Sequence, residues 1–341
     1  MARGEADEVL PAEAVSTVHP ALRDTMARLM AGDRALRRGP EIMAIVNVTP
    51  DSFSDGGTHA APDRAAAFAR KAIRHGATII DIGGESTRPG AEPVTPAAEI
   101  ARVVPALHAI RAMMVAEGVA ATLSIDTRNA PVAAAALDAG ATLLNDVSAL
   151  THDPAMAEVA PRFDQVCLMH AQGDPQTMQR DPRYADVVLD VYDYLEQRIA
   201  AAEALGIARH RLIADPGIGF GKTIDHNLAL LDALSLFHGL GTRLLLGASR
   251  KRFIGTLAEG TDTGHSADDR AAGSVSAALW GVAQGVQVMR VHDTAETAQA
   301  LAVWTALATV APRAASAATA PAATEGHAAA VAVTTDEGAL R

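Results

Sequence analysis

Residues 42–57 read IMAIVNVTPDSFSDGG and combine a strand-like segment with a polar loop. The stretch begins as a continuous aliphatic run, reaches Asn47 where that run stops, and continues into a polar loop that closes on two glycines. The same order, an aliphatic run that stops at a polar residue before a helix-like stretch, occurs eight times. The eight runs are IMAIVNV (42–48), ATIIDIG (77–83), ATLSIDT (121–127), ATLLNDV (141–147), DQVCLMH (164–170), RLIADPG (211–217), RLLLGAS (243–249) and VQVMRVHD (286–293).

These runs predict parallel strands. Each is continuous rather than alternating, as expected of strands that are covered on both faces. The intervening stretches have helical spacing, and in PDRAAAFARKAIRHG (62–76) Pro62 suits a first turn and Gly76 a C-terminal cap. Eight strand–helix units predict an α/β fold, a single-domain (β/α)8 TIM barrel over residues 41–311. A doubly wound open sheet is the weaker alternative, because no G-x-G-x-x-G follows the first run.

The two ends of the chain differ in composition from the predicted barrel. Residues 1–40 mix acidic and Arg-rich stretches, with one amphipathic helix expected around residues 21–36, and we interpret them as an N-terminal extension. Residues 312–341 are rich in Ala, Thr and Pro and contain few large apolar side chains. Such a composition buries too little surface to offset the entropy of ordering, so it predicts a disordered tail.

Composition limits the classes of partner. Of the 341 residues, 49% are hydrophobic and 20% charged, which is typical of a globular protein with a large core. The formal net charge of -11 argues against nucleic acid or an anionic membrane as a partner. The N-terminus is acidic and lacks an apolar segment, and no run is long enough to span a bilayer, which predicts a cytoplasmic protein. The single Cys167 lies within VCLM and is predicted to pack in the core.

Polar side chains end the predicted strands, and in a barrel these ends share one mouth, where barrel enzymes bind their substrates. The residues expected there are Asn47, Asp81, Asp126, Asn145, His170, Asp215, Lys251, Arg290 and His292. Any one of these Asp residues could serve only as a helix cap. Several carboxylates around one mouth, however, repel one another unless a ligand or metal offsets them. The pattern therefore predicts a ligand site.

The residue types suggest that this site has two halves. Asp215, before the turn PGIGFGK, only accepts hydrogen bonds and suits a heterocycle edge with two adjacent N–H donors, as in guanine or a pterin. Asn145 offers that edge a donor and an acceptor, and Lys251 can donate to a ring carbonyl or nitrogen. A second cluster suits a phosphate or pyrophosphate whose oxygens Mg²⁺ shares: Asn47, Arg88, Arg290 and His292.

Eight motifs in a fixed order resemble a known family. They are NVTPDSFSDGG (47–57), DIGGESTRPG (81–90), SIDT (124–127), LLND (143–146), CLMHAQGDPQTMQ (167–179), DPGIGFGK (215–222), SRK (249–251) and RVHD (290–293). Together they resemble dihydropteroate synthase, the folate-pathway enzyme that sulfonamides target. The resemblance implies a (β/α)8 barrel, usually a homodimer, that joins 6-hydroxymethyl-7,8-dihydropterin pyrophosphate to 4-aminobenzoate. It also implies that pyrophosphate and 7,8-dihydropteroate are the products.

The resemblance assigns a role to each matching residue. The pterin pocket would use Asp126, Asn145, Met169, Asp215 and Lys251. Pyrophosphate would be held by Arg88, Arg290 and His292, with Asn47 as the Mg²⁺ ligand. Two loops that close over the anion would contribute Phe53 and Asp55 from the first, and Thr87, Arg88 and Pro89 from the second. The aminobenzoate slot would be completed by Phe220, Ser249 and Lys251. The residues expected to act in catalysis are Asp55, Arg88, Lys251, Arg290 and His292.

Two other functions are compatible with a pterin-binding barrel. A pterin-dependent methyltransferase would share the carboxylates but has no use for the pyrophosphate-binding motifs NVTPDSFSDGG and STRPG. A catalytically silent paralogue that only binds a pterin would be expected to lose some of Asn47, Asp55, Arg88 or His292, and all four are present. Two further residues have open roles. His170 either lines the mouth or orients a loop, and Lys222 is expected to support its own loop rather than contact substrate.

Overall fold

Eight parallel strands close into one barrel in chain order, β1 to β8, and the first strand pairs with the last. The strands are β1 (Glu41–Asn47), β2 (Ala77–Gly83), β3 (Thr122–Asp126), β4 (Leu143–Asp146), β5 (Gln165–Met169), β6 (Leu212–Asp215), β7 (Arg243–Leu246) and β8 (Val288–Val291). Each predicted run contains one of these strands, except that β1 begins one residue before its run, and the hydrogen-bonded part is usually shorter than the run. The predicted (β/α)8 barrel is therefore confirmed.

The structure is a computed structural model that describes residues 40–49, 57–85, 94–173, 177–259 and 266–309. The amphipathic helix predicted near the N-terminus and the tail predicted from residue 312 lie outside these ranges and stay predictions. No helix within these ranges is long and apolar enough to cross a membrane. The cytoplasmic location also stays a prediction.

Helices connect the strands and cover the outside of the barrel. They are α1 (Gly57–Arg74), α2 (Pro96–Glu117), α3 (Ala130–Asp138), α4 (Met156–Val159), α5 (Val187–Ala204), α6 (Ile224–Asp232), α7 (Arg252–Glu259), α8 (Ala271–Ala283) and α9 (Thr294–Thr309). The start predicted for α1 was wrong, because the helix begins at Gly57 and Pro62 lies inside it. A proline so near a helix start removes only one backbone hydrogen bond. The predicted cap at Gly76 is confirmed by its φ of 98° and its N–H bond to Ile73.

An apolar layer fills the barrel beneath its mouth. Seven strands contribute one buried side chain each: Met43, Ile79, Leu143, Cys167, Ile213, Leu245 and Val288. The packing role predicted for Cys167 is confirmed, since its side chain is fully buried and burial raises the pKa of the thiol well above its ordinary value. Successive strand residues point to opposite faces, so the residues two positions further along also point inward, toward the mouth.

Candidate active site

The polar residues of the mouth lie directly above this apolar layer. Four of the seven positions two residues beyond the layer are polar, namely Asp81, Asn145, Asp215 and Arg290, and the other three are Ile45, Met169 and Gly247. On strand β3, Ser124 and Asp126 are two positions apart, so their side chains point to the same face. On β2, β4, β6 and β8 the inward face thus changes from apolar to polar within two residues, and these strand-end residues lie at one end of the barrel.

Asp81 is the centre of a buried hydrogen-bond network. Its carboxylate is fully buried and accepts from Ser124 Oγ at 2.6 Å, from Asn145 Nδ2 at 3.1 Å and from Arg290 Nε at 2.7 Å. Sequence reasoning placed Asp81 at the mouth without a role and did not single out Ser124. The alternation of β3, which points Ser124 and Asp126 to the same face, was the signal that could have found it.

Arg290 connects Asp81 to a second carboxylate. While Nε donates to Asp81, Nη2 donates to Asp126 Oδ2 at 2.6 Å. Burial raises the pKa of Asp126 to about 7, although the Arg290 charge opposes this. Burial alone would lower the pKa of Arg290, but the charges of Asp81 and Asp126 outweigh this effect and raise it above its ordinary value. The guanidinium therefore stays charged. The sequence assigned Arg290 to the anion half and Asp126 to the pterin half, and the structure shows that these two residues form an ion pair.

Asp215 ends β6 and is held by the glycine loop that follows. Its Oδ1 accepts the N–H of Gly217 at 2.7 Å. Gly217 has a φ of 69°, and a Cβ there would lie 1.8 Å from the carbonyl oxygen of His170, so only glycine fits. Burial raises the pKa of Asp215, whereas the Gly217 N–H and then the charges of Lys251 and Arg290 lower it. Asp215 is thus a buried acceptor whose charge depends on nearby cations.

Phe220 and Lys251 form one wall of the mouth. The Lys251 ammonium lies 4.0 Å from the centre of the Phe220 ring, which is a cation–π contact. Gly219 allows this approach, because a Cβ at that position would lie 3.0 Å from Lys251 Cδ. The structure therefore brings together two of the three residues predicted for the aminobenzoate slot.

Ser249 and His292 meet where β7 and β8 end. Ser249 Oγ lies 3.1 Å from His292 Nδ1 and also accepts the His292 N–H at 3.1 Å. The residues that follow them form an ion pair, in which Arg250 Nε donates to Asp293 at 3.1 Å. Arg250 has a φ of 59°, a strained value for a residue other than glycine. These contacts fix the backbone that carries Ser249, Lys251 and His292.

Asn47 lies at the end of β1, on the side of the mouth that also holds Asp126. Its Oδ1 would lie 3.8 Å from a Cβ added at Gly83, and Asp126 Oδ2 would lie 3.7 Å from the same point. The side chains of Asn47 and Asp126 therefore both border the space above Gly83. The loop residues predicted for the anion site lie outside the described residues: Phe53, Asp55, Thr87, Arg88 and Pro89.

Comparison with known proteins identifies the family. The family described as pterin binding enzyme matches residues 43–292. The dihydropteroate synthase of Neisseria meningitidis serogroup B is 47% identical over 275 residues, which are 79% of this chain and 93% of that protein. The Xanthomonas albilineans dihydropteroate synthase, solved with 4-aminobenzoic acid, superposes with a TM-score of 0.73 and 45% identity, covering 81% of this chain and 95% of that one. The Yersinia pestis dihydropteroate synthase, solved as a sulfonamide drug complex, gives a TM-score of 0.72 and 42% identity, covering 80% and 95%.

The matched region runs from β1 to the end of β8 and includes every strand-end residue of the mouth. A relative nearly half identical over most of both chains shares more than the barrel architecture. The chain belongs to the pterin-binding enzymes and, among them, to the dihydropteroate synthases.

Proposed function

We propose that this chain joins 6-hydroxymethyl-7,8-dihydropterin pyrophosphate to 4-aminobenzoate and releases pyrophosphate and 7,8-dihydropteroate. The observation that carries the proposal is the composition of the mouth, where three carboxylates, two buried and one partly buried, lie among the cations Arg290 and Lys251. The carboxylates are Asp81, Asp126 and Asp215. Such a site accepts hydrogen bonds from an amine-rich ring at its base and offers positive charge to an anion.

The pterin would bind along the inward side chains of β4 to β6. Asp215 accepts from two adjacent N–H groups of the ring, because a carboxylate offers two oxygens and no competing donor. Asn145 is oriented for this task by Asp81, which takes one of its amide N–H groups at 3.1 Å and leaves the amide oxygen as an acceptor. Met169 supplies an apolar contact beside them, and Lys251 donates to the ring carbonyl or a ring nitrogen.

The pyrophosphate would lie toward β1 and β8, where Arg290 and His292 are found. Arg290 is held by two carboxylates, so its charge is preorganised before the substrate arrives. Preorganised charge of this kind stabilises the leaving group as the C–O bond to pyrophosphate breaks. We also place Arg88 at the anion and Asp55 opposite the developing cation, on the strength of their motifs.

Asn47 is the proposed Mg²⁺ ligand. Mg²⁺ commonly keeps several waters and binds one or two protein oxygens together with substrate phosphates, so a single amide oxygen at the mouth fits it. No group of three or more His, Cys, Asp or Glu side chains suited to a metal occurs in the described part of the chain. The donor set therefore fits an ion that arrives with the substrate, and such an ion would neutralise charge on the pyrophosphate.

The second substrate would fill the slot between Phe220, Lys251 and Ser249. Its amine is nucleophilic when neutral, so the nitrogen lone pair can form the new C–N bond without a strong base. The pterin C–O bond breaks with both electrons going to pyrophosphate, and the amine proton is lost to water after attack. We further propose that a sulfonamide occupies this slot in place of 4-aminobenzoate.

An assay of pyrophosphate release tests the proposed function. We expect release from the pterin substrate that requires both 4-aminobenzoate and Mg²⁺, with a stoichiometric amount of dihydropteroate formed. A sulfonamide should raise the apparent KM for 4-aminobenzoate and leave kcat unchanged. A methyltransferase would release no pyrophosphate, and a silent paralogue would bind the pterin without turnover. Either of these results would exclude the proposal.

We also propose that two copies of the chain associate through α6, α7 and α8. The sequence segment GSVSAALWGVAQG, suited to helix packing, falls on α8. Leu228, Leu257 and Trp280 are 39%, 54% and 51% exposed around an apolar groove of about 790 Å³ between these helices. Exposed apolar surface of this kind marks association sites, and the family is expected to be dimeric.

A charge placed in this groove tests the association. Leu257→Glu should convert a dimer to a monomer in analytical ultracentrifugation, because an ionised carboxylate is costly to bury. The exposed substitution Val115→Glu on α2, where Val115 is 78% exposed, is the matched control and should leave the mass unchanged. A wild-type mass equal to that of one chain, or a Leu257→Glu dimer of normal affinity, would contradict the proposal.

A further inference from the structure

Lys222 and His170 form a buried pair beneath the mouth that the reaction described above does not use. Their side chains are 3% and 6% exposed. Lys222 Nζ lies 2.9 Å from His170 Nδ1, donates to the carbonyl oxygen of Phe220 at 3.0 Å, and lies 3.4 Å from the carbonyl oxygen of His170. Burying a lysine without a contacting carboxylate lowers the stability of the folded state. Its contacts are therefore expected to serve a function.

The protonation states of the pair follow from these contacts. Burial, and then the Lys222 charge, lower the pKa of His170 to about 3, so the ring is neutral. Burial lowers the pKa of Lys222 to about 7, although Asp215 opposes this. A carbonyl oxygen only accepts, and even the neutral amine keeps two N–H donors for the two carbonyls. The ammonium adds a third donor, for which His170 Nδ1 is the acceptor. Lys222 can therefore hold both carbonyls in either charge state.

The two carbonyls belong to the ends of neighbouring strands, β5 and β6. His170 follows β5, and its carbonyl oxygen lies against Gly217, where no side chain would fit. Phe220 belongs to the loop after β6, and its ring faces the Lys251 ammonium at 4.0 Å. The His170 N–H also donates to the Asp215 carbonyl at 3.0 Å, which keeps β5 and β6 in register. Lys222 thus ties the β6 loop to the end of β5.

We infer that Lys222 is a positioning residue for the second substrate: with His170 as its acceptor, it holds the Phe220 carbonyl so that the ring forms the wall of the 4-aminobenzoate slot. The inference rests on the proposed function, because it assigns that slot to 4-aminobenzoate. It explains why a lysine is buried where an apolar residue would cost less. It also gives His170, whose role the sequence left open, a defined task.

Pterin affinity should depend much less on Lys222 than the affinity for 4-aminobenzoate does. The Gly217 N–H, Lys251 and Arg290 each lower the pKa of Asp215 more than Lys222 does. Asp215 therefore stays an effective acceptor when Lys222 is replaced. A higher KM for 4-aminobenzoate with an unchanged pterin affinity would distinguish a positioning role from a general loss of structure.

Lys222→Met tests the inference, since methionine keeps the length of the side chain and removes its donors. We expect the KM for 4-aminobenzoate to rise about tenfold, as loss of hydrogen bonds to buried carbonyls commonly does. The pterin dissociation constant from calorimetry and kcat at saturation should change by less than about threefold. Lys222→Gln keeps two amide donors and should recover part of the KM. The exposed Lys71→Met is the matched control and should match wild type.

A second pair of variants keeps the inference testable if Lys222→Met does not fold. His170→Leu removes the acceptor, whereas His170→Asn keeps an acceptor close to the position of Nδ1, so only the leucine variant should raise the aminobenzoate KM. Equal loss of pterin affinity and aminobenzoate affinity in Lys222→Met or His170→Leu would overturn the inference, as would unchanged kinetics. If wild type itself released no pyrophosphate, the proposed function would fail, which is a different result.

Discussion

Replacing Arg290 with alanine is expected to lower turnover by about a thousandfold, since removal of one preorganised charge contact costs roughly 3 to 4 kcal/mol in the transition state. Pterin affinity should fall far less, because the proposed site assigns the ring edge to Asp215 and Asn145 rather than to Arg290. Rapid-quench measurement of pyrophosphate release at saturating substrate, with calorimetry of pterin binding beside it, separates the two effects. Near-normal turnover at saturation would contradict the role of Arg290.

The ion-pair network adds a stability effect to this prediction. Arg290→Ala leaves Asp81 and Asp126 buried without their cation, which typically costs about 3 kcal/mol in the free energy of unfolding. The pKa of Asp126, already raised to about 7, should rise further when the opposing charge is lost. The folded variant would then bind more protons than its unfolded chain, so its stability should fall as pH rises through that pKa.

Two substitutions separate the catalytic effect of Arg290 from this loss of stability. Arg290→Lys keeps the charge but cannot donate in the same planar geometry to two carboxylates. It should recover much of the stability and little of the turnover. Arg74→Ala removes an arginine whose side chain is 68% exposed and should change neither quantity. A lysine variant with restored turnover would show that charge alone, rather than the anchored guanidinium, is needed.

The barrel could be predicted from the sequence because its signal is local. Each aliphatic run is buried on both faces, so composition alone identifies the strands. The exact strand ends could not be read, since they depend on the neighbouring strand. RLIADPG extends to residue 217, but β6 ends at Asp215, because Pro216 has no N–H to donate and Gly217 adopts a positive φ.

The candidate site could be predicted as a set of residues but not as a set of contacts. Motif order and strand alternation placed Asp126, Asp215 and Arg290 at one mouth. The ion pairs of Arg290, however, reach across 209 residues to Asp81 and 164 residues to Asp126. No spacing rule in one sequence connects residues that distant, so Arg290 was assigned to the anion half alone. The structure adds that Arg290 forms ion pairs with Asp81 and Asp126, whereas its assignment to the anion half stays a prediction.

Lys222 shows a different limit of sequence reasoning. Its position after GIGFG correctly indicated support for the loop, but a lysine in a polar loop is ordinarily exposed. Only the fold shows that this ammonium points inward to two carbonyls and a neutral imidazole. Burial, which decides the energetics of a charge, depends on elements that lie far apart in the chain.

Asp215→Asn is expected to abolish measurable pterin binding. An amide keeps one acceptor oxygen, but its NH₂ group would point a donor at an N–H of the ring, and a buried unpaired donor costs about 1 to 3 kcal/mol. The lost charge adds to this, since hydrogen bonds to charged groups contribute roughly 1.5 to 3 kcal/mol. Together these effects predict an increase in the dissociation constant of about a thousandfold. Calorimetry with the pterin substrate measures it directly.

The stability of the Asp215→Asn protein should rise or stay unchanged, although its pterin affinity falls. Burial raises the pKa of Asp215, which means that the folded state pays to keep this carboxylate ionised at neutral pH. Asparagine removes that cost, and its oxygen can still accept the Gly217 N–H that now lies 2.7 Å from Oδ1. We therefore expect a melting temperature at or above that of wild type. Asp138→Asn, at a side chain that is 75% exposed, is the control and should retain full affinity. If a stable Asp215→Asn protein loses binding, the loss cannot be attributed to unfolding, whereas binding that survives would show that the ring edge lies elsewhere.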